Sequence, residues 1–72
     1  MNVYQRLKDL REDADKSQAE IAKIIGTSQS YYAQYENGKR AITFDRMVIL
    51  AKYYNVSLDY FAGLIDIPRK LK

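Results

Sequence analysis

Between Ser17 and Gly38 the chain is punctuated so closely that only short helices fit between the marks. Ser17 followed three residues later by Glu20 is a capping box: a hydroxyl takes the third helical N–H while the carboxylate reaches back to the cap. Ile21, Ala22 and Ile25 then supply an apolar face. Gly26 closes that helix, because glycine enters the left-handed conformation without a Cβ penalty. Thr27 and Ser28 offer the next cap at once, and a second helix runs from about Gln29 to Asn37, with Gly38 as its stop. Two short capped helices across a single glycine form a helix-turn-helix pattern, with Ala22 small where the helices cross.

The flanking sequence continues in the same style. Val3, Leu7, Leu10 and Ala14 follow the i, i+4, i+7, i+11 rhythm of one helical face, and Asn2 with Gln5 forms a capping pattern before it. This predicts a helix over 3–13. Lys39 to Ile42 is a basic connector. Thr43 caps a longer helix with the stripe Phe44, Met47, Leu50, Ala51 and Tyr54. Asn55 and Val56 turn the chain, and Ser57 caps a last short helix carrying Leu58, Phe61 and Leu64, ended by Gly63 or the region of Pro68. Neither β alternation nor an internal repeat occurs. The expected architecture is all-α: a compact five-helix bundle over 1–66, followed by a basic tail over 67–72.

Seventy-two residues form one small domain, and neither cysteine nor histidine is present to staple it with disulfides or metal. The core must hold the fold by itself. The same absences remove the commonest nucleophile and general base, so no enzyme, cofactor or metal site is expected. Asp9, Glu12 and Asp13 cluster on the first helix as a solvated face, and no glycine-rich phosphate loop occurs. No apolar run approaches a membrane span and no signal peptide precedes the domain, so the chain reads as soluble and cytoplasmic. The net charge of +3 comes entirely from Arg69, Lys70 and Lys72, leaving residues 1–68 formally neutral. Charge alone therefore does not argue for nucleic acid; its placement must.

Placement is informative on the second helix of the pair. At about 100° per residue, Tyr32 and Tyr35 share the only apolar face and should pack inward. Ser30, Ala33, Gln34 and Asn37 lie opposite, with Tyr31 on the boundary. Gln and Asn pair bidentately with adenine, and an alanine or tyrosine edge meets the thymine methyl. Lys39 and Arg40 follow where they can reach the sugar-phosphate backbone, and the helix amino terminus presents N–H groups to a phosphate.

The stretch LRED…KSQAEIAKIIGTSQSYYAQYENGKR followed by VILAKYYNVSLDYFAGL resembles the phage-repressor and Cro type of DNA-binding domain, the XRE family, over about residues 3–64. The resemblance implies a lambda-repressor-like fold with the third helix in the major groove. It implies that Gln18 meets a phosphate, that Ser28, Gln29 and Ser30 read bases with Thr27 beside them, and that Gln34 reads from the next turn. Asn37, Lys39 and Arg40 match backbone-contacting positions, while Tyr31 is open between surface and DNA contact. Arg11 and Glu36 match a pair that braces the first helix against the third. Tyr32 departs from the aliphatic residue usual at its position and brings a phenol that needs a partner.

The function so implied is sequence-specific binding of double-stranded DNA by a transcriptional repressor acting as a homodimer on a two-fold operator. The alternative is an antitoxin or other regulator that binds a toxin or protein antagonist. Ile49 and Tyr53 lie i, i+4 off the core stripe, and with Val56 and Ile65 they are the dimer candidates.

Overall fold

In the computed structural model, which describes residues 2–64, each helix begins on the residue whose side chain can cap it. Helix α1 spans Val3–Asp13, α2 Gln18–Ile24, α3 Gln29–Glu36, α4 Phe44–Tyr54 and α5 Leu58–Phe61. Asn2, Ser17, Ser28, Thr43 and Ser57 each accept a hydrogen bond from the backbone N–H three residues on. Such caps contribute about 1 kcal/mol each by satisfying a donor the helix itself cannot. Only Ser17–Glu20 closes into a reciprocal box. The Gln5 side chain instead donates to Asp9, 3.1 Å away along the helix.

Left-handed backbone ends the segments where the sequence changes direction. Gly26 at φ 78° turns α2 into α3, and the Thr27 N–H donates back to the Ala22 carbonyl at 2.9 Å. Asn55 at φ 57° turns α4 into α5. Asp15 at φ 58° does the same between α1 and α2, at a position the sequence pattern did not mark.

Leu7, Ile21, Ala22, Ile25, Tyr32, Tyr35, Leu50, Ala51, Val56 and Phe61 form one buried cluster to which all five helices contribute. Four expectations need correction. Phe44 is 67% exposed. It is the first residue of α4, and helical side chains lean towards the amino terminus, so no preceding turn lies beneath it. Leu64 is 75% exposed because α5 stops at Phe61 and Gly63 diverts the chain at φ 83°. Ala14 is the C-cap of α1 and exposed. Val56 is only 5% exposed, so its side chain fills the core and is unavailable to a second copy. Ile65 and the tail 67–72 lie outside the described residues.

Arg6 is buried, which the hydrophobic rhythm did not anticipate; its guanidinium lies 3.9 Å from the centre of the Tyr60 ring, where α1 meets α5. Tyr32 and Tyr35 are both fully buried, edge to face at 6.3 Å. Their hydroxyls fare differently. Tyr35 Oη accepts 2.7 Å from Arg46 Nη1, whereas Tyr32 Oη makes no hydrogen bond of ordinary geometry. Burial, then the nearby Glu36 carboxylate, pushes the Tyr32 phenol well above the usual tyrosine range.

The two tyrosines should therefore answer unequally to loss of the hydroxyl. Tyr35→Phe removes a bond to a charged donor and should cost about 1–2 kcal/mol in urea unfolding. Tyr32→Phe removes a hydroxyl that lies beside the Glu36 carboxylate without a hydrogen bond of ordinary geometry, and should cost well under about 1 kcal/mol. Equal destabilisation by both would contradict this account of the core.

Candidate nucleic-acid interface

Helix α3 is fixed from behind by its two buried tyrosines, and that decides what its outer face presents. Ser30 and Asn37 are exposed, with Ala33 and Gln34 half-buried beside them. The face expected from the helical period is thus the face the fold leaves open. Thr27 sits half-buried in the turn, and Ser28 is engaged as the cap, its Oγ accepting from the Tyr31 N–H at 3.1 Å.

A chain of polar contacts runs from this face back into the scaffold. Gln29 Nε2 donates to Gln18 Oε1 at 2.7 Å, and Gln18 Nε2 donates to Glu36 Oε1 at 3.1 Å. Glu36 receives Arg11 through two parallel bonds, Nε to Oε2 at 2.6 Å and Nη2 to Oε1 at 3.1 Å. Arg11 Nη1 also donates to the Lys16 carbonyl at 2.9 Å. One carboxylate thereby ties together α1, α2 and α3, and the expected Arg11–Glu36 pair is present. Burial raises the Glu36 pKa, but Arg11, the adjacent Tyr32 hydroxyl and Gln18 outweigh it, holding the carboxyl below its ordinary range. The same pairing raises Arg11.

The far end of α3 is organised by the connector that follows it, through the Arg40 side chain and the Lys39 backbone. Arg40 Nε donates to Gln34 Oε1 at 3.3 Å, and the Lys39 N–H donates to Asn37 Oδ1 at 3.1 Å. Lys39 and Arg40 are exposed. Tyr31 leans edge-on against Tyr35 at 5.6 Å, with the Arg40 and Arg46 guanidiniums 4.6 and 5.5 Å from its ring centre. All ten residues read from the sequence as DNA-facing lie between the start of α2 and the connector after α3.

Two basic residues escaped that reading. Lys8 on α1 lines a cleft of about 210 Å³ with Arg11, Gln18, Ala33, Glu36 and Asn37. Arg46 on α4 reaches Tyr31 and Tyr35, a juxtaposition that depends on how α4 packs rather than on any local motif. Away from this face, Ile49 and Tyr53 are each 42% exposed on α4, as their spacing suggested. No helix among the described residues is long and apolar enough to cross a membrane.

Comparison with known proteins returns helix-turn-helix transcriptional regulators, phage repressors and an antitoxin. A helix-turn-helix family profile matches residues 7–61. The uncharacterized HTH-type transcriptional regulator YobD of Bacillus subtilis is 41% identical over 64 residues, covering 89% of this chain and 57% of that protein. The cryptic phage CTXphi transcriptional repressor RstR of Vibrio cholerae is 33% identical over 63 residues, covering 88% of this chain and 56% of that one. The chain thus spans little more than half the length of these relatives. Among solved structures, the P22 c2 repressor protein in complex with a synthetic operator superposes with a TM-score of 0.78 at 22% identity, covering 86% of this chain and 94% of that one.

The Glu36 network gives the domain a defined response to acid. A carboxyl whose folded pKa is depressed stabilises the fold above its unfolded pKa, near 4.3, and that stability is lost as pH falls through the folded value. Stability measured by urea unfolding should therefore drop as pH is lowered from about 5 towards 3. Glu36→Gln should cost roughly 3 kcal/mol at pH 7, since Arg11 is left without its partner, and should flatten that slope. An unchanged acid slope in the variant would place the titrating group elsewhere.

Proposed function

The chain belongs to the XRE-type helix-turn-helix family of DNA-binding transcription regulators, and on that premise we propose that it binds double-stranded DNA sequence-specifically with α3 in the major groove. The observation that carries this reading is the outer face of α3. Ser30, Gln34 and Asn37 are presented by a helix whose opposite face is locked by two fully buried tyrosines. Groups that read base edges need fixed positions, because a misplaced bidentate pair discriminates nothing.

The working parts divide by chemistry. Gln29, Ser30 and Gln34 address base edges, Ser28 and Thr27 lie at the helix start where N–H groups favour an anion, and Asn37, Lys39 and Arg40 address the backbone. Gln29 is already bonded at 2.7 Å to Gln18, the residue that addresses a phosphate, so its side chain enters the groove with its orientation set. That lowers the ordering cost of binding. Repression is the regulatory sense favoured by the naming of RstR as a repressor. A homodimer on a two-fold operator, with half-sites about 34 Å apart, would join through α4, where Ile49 and Tyr53 are adjacent and exposed.

Affinity should fall steeply with salt, as counterions return to the DNA. On a site selected from a random pool, Gln34→Ala should cost ~1–3 kcal/mol on that site only, whereas Lys39→Ala should weaken all sequences alike. Loss of equal size on mixed-sequence DNA would show that Gln34 does not read bases. A separate measurement addresses assembly: Ile49→Asp should leave the unfolding midpoint nearly unchanged and abolish two-fold occupancy of the selected site. Retention of paired half-site binding would move the dimer contact off α4.

A further inference from the structure

Tyr31, Arg40 and Arg46 belong to three different elements, α3, the connector and α4, and they converge on one ring. Arg46 is anchored there by its bond from Nη1 to Tyr35 Oη at 2.7 Å, and Arg40 by its bond from Nε to Gln34 at 3.3 Å. The ring orients both guanidiniums but has no net charge with which to neutralise them. Carboxylates do not do so either: the ion pairs among the described residues are Arg11–Glu36 and Lys16–Glu20. Residues 1–68 are formally neutral, yet two like charges are gathered at the edge of α3. Such a concentration costs repulsion in the free domain and is offset when an anion enters. Each guanidinium keeps further N–H donors without a hydrogen bond among the described residues, in the planar fork that suits a phosphate.

The geometry points to a phosphate clamp. Arg40 and Arg46 grip the DNA backbone beside α3, and Tyr31 is a positioning residue that holds both guanidiniums rather than a reader of bases. Arg46 is thereby a DNA contact supplied by α4, outside the helix-turn-helix. The inference rests on the DNA-binding reading above, and it gives Tyr31 the role that its place on the helical wheel left open.

The test measures binding of the whole chain, by fluorescence anisotropy over a salt series, to a pool-selected duplex and to a mixed-sequence duplex. Arg46→Gln should weaken both by a similar factor, about tenfold, and lower the slope of log K against log salt by about 0.9. Tyr31→Phe keeps the ring and should bind as the parent does. Tyr31→Ala should lower the slope by more than Arg46→Gln, and adding Arg46→Gln to it should cost less than Arg46→Gln alone. Urea midpoints verify folding; should Tyr31→Ala not fold, the slopes of Arg40→Gln and Arg46→Gln decide the matter. An unchanged slope for Arg46→Gln overturns the clamp while leaving DNA binding intact. A Tyr31→Ala loss confined to the selected duplex, at unchanged slope, overturns the positioning role and makes Tyr31 a base reader. Failure of the parent chain to bind either duplex overturns the DNA-binding reading, and the clamp with it.

Discussion

The Glu36 carboxylate is the point on which the placement of α3 depends. Its side chain is 4% exposed, and an isolated charge so placed would be strongly unfavourable. Arg11 meets it with two bonds and Gln18 with a third, so α1, α2 and α3 are tied through one group at the carboxyl end of α3. A pair of this kind contributes little net stability compared with an apolar replacement, because desolvation offsets the attraction. Its contribution is geometric. The buried tyrosines hold one face of α3 against the core, and the bidentate arginine contact adds a directional constraint at its carboxyl end.

Much of this was legible because the information is local. Caps sit within three residues of what they cap, and glycine and asparagine mark left-handed turns, so α1 to α4 begin where the residues say. The inward pair Tyr32 and Tyr35 followed from period alone, as did the open polar face opposite. Errors arose where a stripe was extended to a helix end. Phe44 and Leu64 continue a pattern in sequence, but no neighbour covers those ends among the described residues. Val56 was misread for the converse reason, as a turn residue that the fold nevertheless packs inward.

The charged residues that were missed were missed in tertiary space. Arg6 lies three residues from Val3 and four from Leu10, so it shares their face, and a positive charge conceals that position from any apolar count. It is accommodated because Tyr60, more than fifty residues away, offers a ring to stack on. Arg46 is visible only once α4 is packed beside α3. The Arg11–Glu36 pair, 25 residues apart, was foreseen only through family resemblance, since nothing in the spacing of the two residues implies contact.

The local encoding of the caps also bears on how the chain assembles. Each helix carries its start signal within one turn, and most early contacts close loops of only a few residues. Folding from such contacts is rapid, on the order of microseconds to milliseconds, whereas a ribosome adds roughly 5–20 residues per second. Helical structure can therefore keep pace with synthesis. Among the contacts that fix α3, the one from Arg11 to Glu36 must wait for a span of 25 residues. Until Glu36 has emerged, α1 and α2 lack the carboxylate that joins them to α3, and the core closes only when α4 and α5 supply Leu50, Ala51 and Phe61.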